Sequence, residues 1–178
     1  HVTVSLSGDA GDELFCGYMS YQSIYRIYSK MAGTPYPARK LASSLILGQP
    51  IPLKEMHRTK AWLLGARNAE DLYIRSNERE PLCKKISLNR DPISYKHNEY
   101  ESGWLKDTRQ NIMLMDMMMY HPDDILVKVD RAGMAVSLET RIPLLDKDIV
   151  EFAWSLPLSY KYNDGQTKLV MRDILYKY

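Results

Sequence analysis

A chain of 178 residues with 45% hydrophobic and 26% charged side chains has the makings of one ordinary domain with a real core, and its composition excludes disorder. A formal net charge of +2 argues against a nucleic-acid partner, which calls for a clustered basic face, and leaves small or acidic ligands open. The chain has no apolar run of about eighteen residues, so no membrane span is expected, and its two cysteines, Cys16 and Cys83, lack disulfide or zinc spacing, so the cytoplasm is the expected location. It begins His1-Val2-Thr3 with no initiator Met and goes straight into a strand-like run, which predicts a piece of something longer.

Residues 2–6, VTVSL, predict a buried strand ended by Ser7-Gly8-Asp9, and no other strand is convincing. Between about 12 and 31, Leu14, Phe15, Tyr18, Tyr21, Ile24 and Tyr28 recur near helical spacing and predict one long helix, stopped by Gly33 and Pro35. Further helices are expected at about 37–47, 53–64, 69–78 and 104–120, the last bounded by Gly103 and Pro122, with a more broken stretch at 79–103. After Pro122, Asp123 and Asp124 suit the positive end of a new helix reaching about 137, in which Met134 and Leu138 read as core. Two more helices, 145–155 and 168–176, flank the turn Asn163-Asp164-Gly165. A lone strand leaves unpaired backbone groups, an edge that invites self-association into a homodimer.

SLSGDAGDELF (5–15) is a strand feeding a small-residue turn and then a helix, which aims backbone N–H groups at one spot and favours an anion there. Asp9 and Asp12 beside the same turn make sense if Mg²⁺ bridges carboxylate and phosphate. Taken alone, Asp12 serves equally as a helix cap and Gly8 as a turn residue.

Three motifs stand in order along the chain: SGDAGDELFCGY (7–18), DRAGMAVSLETRIPLLD (130–146) and GQTKLVMR (165–172). They resemble the SG(D/E)GxDE(L/V)FGGY, DRxxMxxSxExRxPfLD and GxxKxxLR segments of glutamine-dependent asparagine synthetases, in the C-terminal synthetase domain. The resemblance implies a mainly α piece, 1–178, of an α/β adenine-nucleotide-hydrolase-like domain, with one N-terminal parallel strand followed by helices. It implies ATP and Mg²⁺ as cofactors and adenylation of a small carboxylate, aspartate first among them. Ammonia released from glutamine by a glutaminase domain of the same parent chain then yields asparagine.

Carried over residue by residue, the resemblance gives Ser7 and Gly8 to the nucleotide and Asp12 to the metal. It places Asp9 over the reacting acyl group, with Asp124 as a nearby supporting acid. Lys128 and Arg131, about one helical turn apart, become cations for the substrate carboxylate or phosphate oxygens, with pairing to Glu139 or nearby carboxylates as the structural alternative. Arg141 reads as structural. Ala10 and Cys16 stand where the family carries glycine; Ala10 matters if φ is positive there, and Cys16 reads as a small buried side chain on the helix. The family's upstream SGGxDS loop and its later RxKxGF lysine are not in the chain, so the isolated chain is expected to be inactive. Lys168 is expected to start a helix, pair with an acid or reach the site from the side. Two other readings remain: an amidotransferase or β-lactam synthetase-like enzyme acting on another substrate, or a degenerate, non-catalytic binding module.

Overall fold

The computed structural model describes residues 2–49, 54–77 and 104–178, which fall into two compact units, 1–21 with 105–178 and 22–104. The stretch expected to be broken, 79–103, lies outside the described residues. Among the described residues no helix is long and apolar enough to cross a membrane.

The first unit opens with strand β1 (Val4–Leu6), which pairs in parallel with β2 (Glu139–Arg141) in the register Val4 with Glu139, Ser5 with Thr140 and Leu6 with Arg141. The Glu139 amide donates to the Thr3 carbonyl at 2.9 Å and the Ser7 amide to the Arg141 carbonyl at 2.8 Å, lengthening the ladder at both ends. The N-terminal strand therefore has a partner, one that a three-residue polar segment, Glu139-Thr140-Arg141, does not announce by alternation. A buried strand was expected, yet Val2 and Leu6 are 73% and 74% exposed. Parallel strands are ordinarily covered on both faces, and this two-stranded pair leaves β1 open.

After the turn at 7–10 come helix α1 (Gly11–Leu14) and then α2 (Met19–Met31), whose first three residues belong to this unit. The single helix expected over 12–31 is broken because Cys16 takes a left-handed backbone, φ 57°, which no helix accommodates. Cys16 is buried as expected, but in this bend rather than on a helix.

Two separate helices were expected on either side of Pro122. Instead α6 (Thr108–Met115), a π-helical segment (Asp116–Leu126) and α7 (Val127–Met134) follow one another without interruption. Asp107 caps the start, its carboxylate accepting the Arg109 amide at 2.8 Å. Proline normally breaks a helix because its ring meets the carbonyl four residues back, and the wider π turn relieves that clash. Gly133 then lets the chain double back into β2, since a Cβ there would lie 2.7 Å from the Leu138 carbonyl oxygen.

Beyond β2, a 3₁₀ turn (Pro143–Leu145) leads to α8 (Lys147–Ser155), capped by Asp146, whose carboxylate accepts the Asp148 amide at 3.0 Å. A second 3₁₀ turn (Leu158–Tyr160) and the hairpin β3 (Tyr162–Asn163) and β4 (Gln166–Thr167) precede α9 (Leu169–Lys177). The expected turn Asn163-Asp164-Gly165 closes that hairpin, with positive φ at Asp164 and Gly165. Ala10, Leu14, Phe15 and Ala153 form the core beneath the N-terminal turn, packed round by Met117, Leu144, Trp154 and Met171 among others. The unit is thus mainly helical with a parallel strand at its start, the class expected from the sequence.

In the second unit α3 (Tyr36–Leu47) packs on α4 (Glu55–Leu64), and α5 (Ala69–Asn77) follows. The buried Arg39 guanidinium donates to the carbonyls of Thr34, Leu64 and Ala66 at 3.0, 3.2 and 2.7 Å. It thereby serves the negative end of α4, where orphan carbonyls need donors.

Candidate functional site

β1 delivers the chain to Ser7 at the carboxyl end of a parallel strand, the place where open α/β sheets hold ligands. The Ser7 hydroxyl donates to Asp9 Oδ2 at 2.6 Å and fixes that carboxylate against the turn. Long 3.4 Å contacts run from the Asp9 amide to Ser7 Oγ and from the Gly11 amide to the Gly8 carbonyl. The amides at Ser7, Asp9 and Gly11 therefore already have acceptors within the protein, the last two at the weak limit of hydrogen bonding. α1 has only four residues, so its macrodipole adds little, and the expected focusing of helix amides on an anion is weaker than the sequence suggested. Around Gly8 a Cβ would meet nothing within 4 Å.

Ala10 answers the question its replacement of glycine raised: φ is 68°. Its methyl is 1% exposed in the core cluster, while its left-handed backbone costs about 1 kcal/mol relative to glycine.

Asp12 faces Lys168, with Asp12 Oδ1 2.9 Å from the Lys168 ammonium and the two side chains 35% and 30% exposed. Lys168 also has a left-handed backbone, φ 55°, and its amide donates to the Phe15 carbonyl at 3.2 Å, so the third motif is docked on the first. Gly17 makes room for the pair: a Cβ there would lie 2.7 Å from Asp12 Cγ and would run into Asp12 Oδ1 and Lys168 Cε.

Sequence reading passed over two buried groups behind this bend. Glu13, 2% exposed, accepts the Tyr18 hydroxyl at 3.0 Å and lies 3.4 Å from His121 Nδ1, itself on a side chain that is 2% exposed. Neither His121 nitrogen forms a hydrogen bond in the structure, so that approach is an ion-pair distance without hydrogen-bond geometry. Burial and then the Glu13 charge push the Tyr18 phenol far above its ordinary range. The Glu13 to Tyr18 hydrogen bond clasps the bend across Cys16 and Gly17. One turn into α2, the Tyr21 hydroxyl donates to the buried Asp116 carboxylate at 2.7 Å. A carboxylate on the otherwise apolar side of α1 was the available signal.

Lys161 is the second group. It is 0% exposed, its Nζ has no hydrogen-bond partner, and it sits 4.9 Å from the Trp154 ring centroid. Burial pushes its amine down to about 8, an effect opposed in part by its electrostatic interaction with Cys16. No periodicity marks a buried lysine in advance.

Charged residues in and just before the second motif form local pairs. Lys128 Nζ lies 2.9 Å from Asp124 Oδ2, both well exposed, and that hydrogen bond raises the Lys128 amine. The alternative of pairing with a nearby carboxylate thus holds for Lys128 through Asp124, while Glu139 pairs with Arg141 Nε at 2.7 Å. Arg131 is exposed on α7. Met134, read as core, is 58% exposed and Leu138 is half-buried, because the corner between α7 and β2 lies at the unit's surface.

Mg²⁺ is commonly held by one or two carboxylates completed by substrate phosphates and water. Asp12, a third exposed at the edge of the turn, fits as one such ligand, and among the described residues no group of three or more acidic, histidine or cysteine side chains gathers to form a cage.

The Asparagine synthase family model matches residues 1–178. The chain is 33% identical over 97% of its length to an asparagine synthetase [glutamine-hydrolyzing] 1 of Bacillus subtilis, of which it covers 28%. It is 32% identical over 98% of its length to a putative asparagine synthetase [glutamine-hydrolyzing] of Mycobacterium tuberculosis, covering 27% of that protein, and 27% identical over 97% of its length to an asparagine synthetase [glutamine-hydrolyzing] 3 of B. subtilis, covering 23%. The chain thus spans about a quarter of the length of the curated relatives it matches. No solved structure matches it. With the third motif docked on the first, the second supplying the strand beside β1, and the family model covering every residue, this chain belongs to the asparagine synthase family.

Proposed function

We propose that the full-length protein is an ATP-dependent ligase of the asparagine synthetase type, and that this chain carries the part of its synthetase domain that receives Mg²⁺ and the triphosphate. In the proposed reaction a carboxylate oxygen, from aspartate as first choice, attacks the α-phosphorus and pyrophosphate leaves. Ammonia derived from glutamine then attacks the acyl carbon and AMP leaves, giving asparagine. The observation that carries this reading is the Asp12 carboxylate, held at the carboxyl end of a parallel strand beside an open glycine turn.

Asp12 is the proposed metal ligand, and the bound ion would neutralise phosphate charge. Ser7 and Gly8 take the phosphate side. The space round Gly8 supports this, because the fold itself makes no demand for glycine there and an approaching ligand does. Asp9, oriented by the Ser7 hydroxyl, is the proposed group for orienting the attacking amine. Lys128 and Arg131 are the proposed carboxylate-binding cations. Lys128 must first leave its pair with Asp124, an exchange that costs little at an exposed site.

The test is ATP–pyrophosphate exchange by the full-length protein with a panel of carboxylates, with and without glutamine. Aspartate-dependent exchange and asparagine formation are expected. Exchange with another carboxylate alone would move the protein to a related amidotransferase or β-lactam-forming chemistry, and no exchange with any carboxylate would mark a non-catalytic module.

A further inference from the structure

Asp12 does not stand open to a cation. Lys168 Nζ lies 2.9 Å from its Oδ1, the distance of a charge-assisted hydrogen bond. Several independent features build this contact. The Lys168 backbone is left-handed, an uncommon state for a residue with a Cβ, and its amide is tied to the Phe15 carbonyl at 3.2 Å. The next amide, Leu169, is tied to the Lys161 carbonyl at 3.2 Å, so the lysine is aimed from a fixed base at the mouth of α9. On the other side Gly17 lacks the Cβ that would collide with both partners.

The other acids of the first motif are engaged elsewhere: Asp9 with Ser7, and Glu13 with Tyr18 and His121. The Asp12 pair differs from the Glu13 cluster in being a third exposed, so its ammonium can be exchanged without opening the core.

We propose that Lys168 is a built-in competitor for the cation site, a positioning residue whose ammonium holds Asp12 until a divalent cation displaces it. The proposal rests on the reading of Asp12 as a metal ligand. An ammonium and a divalent cation on one carboxylate repel each other, so the lysine weakens binding of the bare ion. Ion affinity then depends on a phosphate ligand that can draw both the cation and the released ammonium. Such a device keeps the site closed to free cations and favours the nucleotide-bound ion.

The probe is Mn²⁺ in the absence of nucleotide, followed by electron paramagnetic resonance on the full-length protein. Lys168→Met is expected to bind Mn²⁺ roughly tenfold more tightly than wild type, the effect of removing one close, partly screened charge. Lys168→Arg is expected to return affinity to the wild-type level. A merely structural lysine gives the opposite sign, since loosening Asp12 weakens the site. Lys168→Met binding no tighter than wild type, while Asp12→Asn still removes the site, overturns the competition and leaves Asp12 as a ligand. Tight Mn²⁺ binding that survives in the Asp12→Asn, Lys168→Met double variant overturns the placement of the ion on Asp12, and this proposal with it.

Discussion

Gly17→Ala in the full-length protein is expected to slow ATP–pyrophosphate exchange on the order of 100-fold while changing stability by about 1 kcal/mol or less. The two effects separate because of what the new methyl meets. It would lie 2.7 Å from Asp12 Cγ and nearer still to Oδ1 and to Lys168 Cε. Those atoms are the outer parts of side chains about a third exposed, so they can swing aside without disturbing the core of Leu14, Phe15 and Ala153. The φ at Gly17 is not positive, so the backbone itself accepts alanine. What is lost is the position of the carboxylate, and a displacement of about 1 Å in a positioned group is enough to cost two orders of magnitude in rate. Exchange assays paired with thermal unfolding check this. A variant that exchanges at the wild-type rate, or one that fails to fold, would show that Gly17 serves something other than the Asp12 and Lys168 pair.

Lys161→Met is expected to stabilise the protein by roughly 2–3 kcal/mol at pH 7. Burial lowers the lysine from 10.5 to about 8, so the folded state holds its proton less firmly than the unfolded chain. Below pH 8 both states are charged and the fold bears the whole penalty, about 3 kcal/mol. Between pH 8 and 10.5 the folded protein releases the proton before the unfolded chain does, so wild-type stability rises with pH across that window. The contact with Trp154, 4.9 Å away, offsets part of the penalty. Methionine keeps most of the volume and the apolar stem without the charge. Denaturant unfolding at pH 7 and pH 10 tests this: the variant's advantage is expected at pH 7 and is expected to shrink toward zero at pH 10. A destabilised variant, or an advantage that does not change with pH, would mean that the amine has a favourable partner.

What could be read in the sequence was local. Ser7, Gly8, Asp9 and Asp12 lie within one turn, so their grouping needed no tertiary knowledge, and the structure keeps Ser7 and Asp9 in contact. Most helices were visible from period and punctuation, as at Gly33 and Pro35. The failures came either from partners distant in sequence or from backbone states that residue type does not announce. Glu139-Thr140-Arg141 becomes a strand only because residues 3–7 lie beside it. The break at Cys16 was masked because a cysteine fills a left-handed position where glycine would have signalled it. Pro122 is tolerated because the turn widens to a π-helix, a choice that the flanking residues do not encode in their spacing. Lys168 finds Asp12, and His121 approaches Glu13, across most of the chain, which no window of sequence can display.

Everything proposed for the site turns on one carboxylate, Asp12, in α1's first turn. Its most direct test is Mg²⁺-dependent ATP–pyrophosphate exchange by full-length Asp12→Asn, an isosteric change that removes the charge and keeps the shape. Exchange is expected to fall on the order of 1,000-fold at saturating ATP and Mg²⁺, with thermal stability nearly unchanged. Exchange at the wild-type rate, with the same dependence on Mg²⁺, would contradict the assignment of Asp12 to the metal.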